Sequence, residues 1–303
     1  MQGTVDGFSH GLVTPVVAYL MACLGGALGL RCTTRSVRHR GAFSPGWLAL
    51  GATSIGAGIW TMHFIAMTGF SIAEVPVDYD RPTTFASLAV AILMVGIGIF
   101  IVGLRGPTRM ALVTGGTITG LGIATMHYLG MAGMRLQGRI EYDTPTVALS
   151  VVVAVVAATS ALWAAVSVHG FLPSLGASLV MGLAVTGMHY TGMAAVSVHL
   201  HPDDAVDAVA LDTMGTLDAA GAMDAMAAGA PTAVSLLAPM LVGPVVFLLL
   251  AAIAVMFDPL LVSGGGHPGA GPGGHDAYRP GIPAQRHRDM QRDAHRATRF
   301  RDR

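Results

Sequence analysis

Seven long apolar runs, separated by short stretches of charge, proline or glycine, leave this chain few folds other than a bundle of membrane helices. They cover about 11–30, 45–72, 83–104, 110–134, 146–168, 174–198 and 232–257. Eighteen or more apolar residues in succession are enough to cross a bilayer as a helix. Only 11% of the 303 residues are charged, too few to cover the surface of a soluble protein with this much apolar sequence. The expected fold is therefore an all-α membrane protein with seven transmembrane helices.

The arginines orient that bundle. Arg31, Arg35, Arg38 and Arg40 follow the first run, Arg105 and Arg109 flank the turn after the third, and eight more lie after residue 257. Only Arg81, Arg135 and Arg139 fall at the other ends. The positive-inside rule puts the N-terminus outside and the C-terminus in the cytoplasm. The first ten residues carry Asp6 and no arginine, unlike the basic start of a secretory signal, so the first run is expected to stay as a span. Cys23 and Cys32 would lie roughly 13 Å apart along one helix, too far for a disulfide.

A second feature repeats along this frame. Met62-His63-Phe64-Ile65-Ala66-Met67 returns as Met126-His127-Tyr128-Leu129-Gly130-Met131 and as Met188-His189-Tyr190-Thr191-Gly192-Met193. The histidines are 64 and then 62 residues apart, which marks an internal repeat of supersecondary units. The copies fall near the outer ends of helices 2, 4 and 6, at one depth on one side.

Residues four apart share a helix face, so each histidine stacks with its second methionine, and the preceding methionine lies about 100° around the axis. Each copy thus offers one imidazole and two thioethers on a broad face. Methionine in an apolar core is ordinarily filler. Here the positions between have drifted, Ile-Ala, Leu-Gly and Thr-Gly, while Met, His and Met have not. Neutral imidazole and thioether ligands suit copper, above all the cuprous ion, and suit Mg²⁺ or Ca²⁺ poorly. Histidine within an apolar span tends to face the bundle interior, and glycines such as Gly58, Gly120, Gly130, Gly182 and Gly192 permit close helix approach. The expected metal ligands are Met62, His63, Met67, Met126, His127, Met131, Met188, His189 and Met193, with metal favoured over haem.

The remaining features are less specific. His199, His201, Asp203 and Asp204 cluster after helix 6, which fits a metal-delivery loop and a plain solvated loop equally. His10 is at the outer start of helix 1, where an interfacial role is favoured. No nucleophile–base pair, phosphate-cradling loop or paired carboxylate stands inside the runs, so an enzyme is not expected. Nucleic-acid binding would rest on the basic tail alone, which has no interleaved aromatics and is not read as a nucleic-acid interface.

The triple Met-His-Tyr pattern on alternate helices resembles the MHYT domain of bacterial integral-membrane sensors. The resemblance covers about residues 10–198. It implies a multi-pass protein of the bacterial plasma membrane with an extracytoplasmic copper site that senses a diatomic gas, oxygen, carbon monoxide or nitric oxide. The nine Met and His residues carry over as ligands, and Tyr128 and Tyr190 as the motif tyrosines beside the cofactor. Phe64 departs from the tyrosine and Ala66 from the glycine, so a phenol is not required in the first copy. Such sensors are often fused to cytoplasmic output modules, and nothing after residue 257 resembles one, so a separate cytoplasmic partner is expected.

The expected organisation is a six-helix sensor domain at 1–200, an acidic Ala/Asp-rich outer loop at 201–231, a seventh helix at 232–257 and a disordered Arg/His/Gly/Pro-rich tail at 258–303. The other reading of the Met/His repeat is a transporter or channel for a metal ion or proton. A conduit would need such groups to continue toward the cytoplasmic half, where the runs are mainly Ala, Val, Leu and Gly.

Overall fold

Proline at the second helical position begins two of the spans in the same way. Asp80 and Asp143 each cap a helix whose next residues run x-Pro-Thr, Pro82-Thr83 and Pro145-Thr146. Each carboxylate accepts the backbone N–H three residues on, at 3.0 Å in both cases, and the hydroxyl of the same threonine. Proline is tolerated there because its missing N–H would have had no partner within the helix.

The computed structural model describes residues 5–6, 11–38, 45–72, 78–135, 139–168, 170–199 and 233–257. The acidic segment 201–231 and the tail 258–303 lie outside the described residues, as do His10, His201, Asp203 and Asp204.

Seven long helices are present among the described residues: α1 (Val13–Arg38), α2 (Pro45–Thr68), α3 (Arg81–Arg105), α4 (Arg109–Ala132), α5 (Thr144–Ser167), α6 (Phe171–Ala194) and α7 (Ala233–Met256). At 24 residues a helix is about 36 Å long, enough to cross a hydrocarbon core of ~30 Å. All but α4 are long and apolar enough to cross a membrane. The seventh span expected on α4 is thus not matched by its composition. Threonines at 114, 117, 119 and 125 and five glycines in the same helix dilute its apolar character.

Short strands connect the helices, a feature the apolar runs did not announce. These are β1 (Val5–Asp6), β2 (Ser71–Ile72), β3 (Asp78–Tyr79), β4 (Met134–Arg135), β5 (Arg139–Tyr142) and β6 (Val196–His199). They pair antiparallel as β1–β2, β3–β4 and β5–β6. The repeat is thereby defined as strand, odd helix, even helix, strand, three times over. Each unit closes on itself, and Asp80 and Asp143 extend two of the closures by donating their N–H to Gly133 and Ala195 carbonyls at 2.8 and 2.9 Å.

These strands correct three expected helix ends. Ile72, Met134 and Val198 belong to strands, because an apolar run does not distinguish a buried strand from a helical turn. The arginine cluster is corrected too. Arg31, Arg35 and Arg38 belong to the last turns of α1 rather than to a loop, since arginine is a good helix former. Arg35 lies over the Trp47 ring at 4.2 Å from its centroid, a cation–π contact that ties this extension to the start of α2.

The first six helices pack each on the next, and α6 returns to α1, giving a closed ring from which α2 touches α4 and α6. Backbones approach closely where glycine allows. At the α1–α2 crossing a Cβ on Gly58 would stand 2.7 Å from the Gly25 Cα. The core surrounds the end of the bundle that bears the strands, and holds Trp60, Phe64, Met62, Met67, Met126, Met131 and Met188. Helix α7 packs on α1 and α2 from outside, with Leu248, Ala251 and Val255 against Leu28, Cys32 and Ala57. Cys23 and Cys32 are buried and are not joined in a disulfide.

The capping carboxylates predict a pH dependence. Hydrogen bonds from Thr83, with Arg135 beside it, hold the Asp80 carboxyl below its ordinary value, and those from Thr146 do the same for Asp143. A lowered carboxyl stabilises the fold above its unfolded value near pH ~4, and that contribution is lost as pH falls through the folded value. The double variant Asp80→Ala/Asp143→Ala is therefore expected to melt below wild type at pH 6. Melting curves by circular dichroism should show that gap narrowing below about pH 4; a gap that is constant with pH contradicts this account.

Candidate metal centre

Helices α2, α4 and α6 each carry one motif two turns or less from the strand that ends them, so the three histidines meet at one level. His63, His127 and His189 are buried, at 1%, 1% and 2% exposure. The His63 Nδ1 lies 3.0 Å from His189 Nδ1 and 3.2 Å from His127 Nδ1. The rings are mutually edge-on, with centroids 4.9, 5.0 and 5.2 Å apart.

This triangle has a deficit as a set of hydrogen bonds. A neutral imidazole Nδ1 holds either one proton or one lone pair, and that of His63 faces two like atoms. It cannot make two full hydrogen bonds. A cation at the centre would accept three lone pairs at once, and three nitrogens about 2.0 Å from an ion in a plane stand ~3.5 Å apart. The two distances from His63 Nδ1, 3.0 and 3.2 Å, fall a little short of that. Among the described residues this is the group of His, Cys, Asp or Glu side chains whose ligand atoms all fall within 4.8 Å of one another.

The opposite ring nitrogens are equally informative. Nε2 of His63 and of His127 are buried with no hydrogen-bond partner. Ligand histidines usually donate that N–H to a carboxylate, carbonyl or water, which fixes the ring. Here packing does so instead. Phe64, Tyr128 and Tyr190 stand edge-on to the histidine beside them, at 4.7, 4.8 and 5.0 Å. The glycines of the motif complete the seat. A Cβ on Gly130 would lie 2.6 Å from His63 Nε2, and one on Gly192 would lie 2.5 Å from His127 Nε2. Each glycine thus makes room for the histidine of the preceding copy.

The expected thioether ligands surround this triangle. Met62, Met67, Met126, Met131 and Met188 are fully buried in the same cluster, and Met193 is partly buried against it. The Tyr128 hydroxyl is bonded to Ser150 Oγ on α5 at 2.7 Å, so its ring rather than its phenol faces His127. Phe64 fills the corresponding place between His63 and Trp60, whose Nε1 donates to the Thr84 carbonyl and to Ser87 Oγ. Tyr79 from β3 stands edge-on to Phe64, and burial pushes its phenol well above the usual range. His199 is the last residue of β6, opposite Arg139 in the strand register.

Apolar helices of membrane length, a threefold strand–helix–helix–strand repeat and three histidines buried at one end define an integral-membrane bundle with a built internal site. Residues 56–115 and 120–178 each match the MHYT family model, described as a bacterial signalling protein N-terminal repeat. Residues 56–178 are therefore MHYT repeats, and the chain is a multi-pass bacterial membrane protein. The bifunctional diguanylate cyclase/cyclic di-GMP phosphodiesterase MucR of Pseudomonas aeruginosa is 37% identical over 197 residues, 63% of this chain and 29% of that protein. Cyclic di-GMP phosphodiesterase NbdA of the same organism is 36% identical over 189 residues, covering 59% and 24%. The signaling protein YkoW of Bacillus subtilis is 30% identical over 191 residues, covering 60% and 24%. The match thus spans less than a third of each relative. No solved structure was found to match the chain.

Proposed function

We propose that this chain is a membrane sensor in which His63, His127 and His189 hold a copper ion near the extracytoplasmic face, with the motif methionines as further soft ligands. A diatomic gas, oxygen, carbon monoxide or nitric oxide, binds there, and the change is passed through the helices to a cytoplasmic signalling partner. The observation that carries this reading is the convergence of three buried imidazoles, with His63 Nδ1 facing two like atoms at 3.0 and 3.2 Å that it cannot both satisfy by hydrogen bonds. Copper is the ion that neutral nitrogen and thioether ligands select. In its cuprous form it would supply an open position for a π-accepting gas.

The distribution of arginine supports the orientation. Arg31, Arg35, Arg38, Arg105 and Arg109 lie at the end of the bundle away from the histidines, which the positive-inside rule assigns to the cytoplasm, with α4 crossing as a seventh span. A conduit for ions is less well supported. One turn below the histidines are Ile59, Ile123 and Val185, all buried, and nothing in that layer would ligate a moving cation or relay a proton.

The test is metal content. Protein purified in detergent, loaded with cuprous ion under reducing conditions and desalted is expected to retain about one copper or more per chain by elemental analysis. X-ray absorption should show nitrogen scatterers with sulfur. Carbon monoxide should then give an infrared stretch characteristic of a cuprous carbonyl. Protein that retains no copper after loading overturns the proposal.

A further inference from the structure

The even helices carry a second threefold pattern beneath the first. Four residues before each histidine stand Ile59, Ile123 and Val185; four before those stand Ile55, Thr119 and Met181. All six line one cavity in the interior of the bundle. Because residues four apart share a helix face, this cavity lies on the axis of the histidine triangle, about one turn, or ~5–6 Å, below it. Its other walls come from α1, α3 and α5.

The cavity's chemistry is uniform. Its two threonines are committed elsewhere, Thr33 Oγ1 donating to the Gly29 carbonyl at 2.8 Å and Thr119 Oγ1 to the Met94 carbonyl at 3.4 Å. The space open to water-molecule centres is about 40 Å³, enough for two or three waters at ~10–15 Å³ each. A water there would lack the two to four polar partners that hold buried water, and apolar cavities of this kind stay dry and take up small apolar molecules. A second cavity of about 110 Å³ in the same measure shares Thr33, Ile99, Leu162 and Ala165 with the first, and reaches Gly106 and the exposed Pro107 in the turn between α3 and α4. The two together run from the arginine-bearing end to the floor of the histidine site.

We propose that this axial cavity is a binding chamber for a small uncharged molecule of diatomic size, filled from the α3–α4 turn and separated from the histidines only by the Ile59–Ile123–Val185 layer. An ion would be excluded by the same walls, since burying a charge without partners is prohibitive. Side-chain rotamer motion in that layer is enough to pass a diatomic molecule upward. That the occupant is the gas sensed at the histidines rests on the reading above; the capacity of the chamber does not.

Xenon tests the chamber without copper. Crystals of the metal-free protein pressurised with xenon are expected to show an anomalous peak between Ile59, Ile123 and Val185 above and Ile99 below. The same peak should persist in a variant with all three histidines changed to alanine. Ala158 lines the cavity and is buried, so Ala158→Phe should abolish the peak at unchanged helical content. Ordered water or a lipid tail in the cavity of the wild type, or no xenon at any pressure, overturns the proposal even where Ala158→Phe does not fold. Xenon bound in a protein that retains no copper would leave the chamber standing and remove the metal reading alone.

Discussion

Changing His63, His127 and His189 together to alanine is expected to empty the protein of copper while leaving its helical circular dichroism in place. The helices owe their packing to glycine-mediated contacts along the bundle, such as Gly25 on Gly58, and to membrane-length apolar surface, neither of which the histidines provide. The single variants should differ from one another. His63 Nδ1 is the atom within 3.2 Å of both others, so His63→Ala removes the ring that links the remaining two. Loss of one outer-shell partner typically costs ten- to a hundredfold in metal affinity, and loss of this ligand should exceed ~100-fold. Titration with a competing cuprous chelator measures each. Equal copper retention in wild type and the triple variant would show that the metal is held elsewhere, and would return the histidine triangle to a packing role.

Much of this arrangement was legible in the sequence, and the parts that were not share a physical cause. Three copies of Met-His-aromatic at spacings of 64 and 62 announce equivalent positions in equivalent units, and the bundle does bring their imidazoles within contact of one another. The apolar runs announced the helices because a span must be continuous in sequence. The strands were hidden because the two to four residues that close an apolar run look the same whether they continue a helix or pair across a turn. Long-range partners were hidden as well. Nothing in Met-His-Tyr-Leu-Gly-Met says that Gly130 makes room for His63 rather than for its own His127, or that Tyr128 will be held by Ser150. Such facts depend on how ring closure orders the helices, which no periodicity within one helix encodes. The axial cavity was written in the i−4 and i−8 residues of each histidine, yet its reading requires knowing that all three copies face one axis.

The glycines of the motif give the second large effect. Gly130→Ala places a methyl 2.6 Å from His63 Nε2 and 3.2 Å from Phe64 Cζ. Neither ring can yield easily. His63 is hemmed in by His127, His189 and Phe64, and Phe64 is buried against Trp60. Overpacking of this kind costs typically about 1–3 kcal/mol, and the ring that must tilt is the one at the centre of the triangle. With no hydrogen bond on Nε2 to restore its orientation, His63 should settle with Nδ1 turned from the common point. Gly192→Ala acts in the same way on His127, with 2.5 Å to its Nε2. The first copy carries Ala66 where the others carry glycine, so one site in three already accepts a methyl and the substitution does not by itself forbid the helix. Both variants are therefore expected to fold and to lose copper affinity by about 10–100-fold, as for a disturbed outer shell. Histidine ring resonances in the metal-free protein should shift for His63 in Gly130→Ala and for His127 in Gly192→Ala, which a general loss of stability would not divide between them. Unchanged affinity and unchanged resonances would mean that the glycines serve backbone packing and that the rings are oriented by something else.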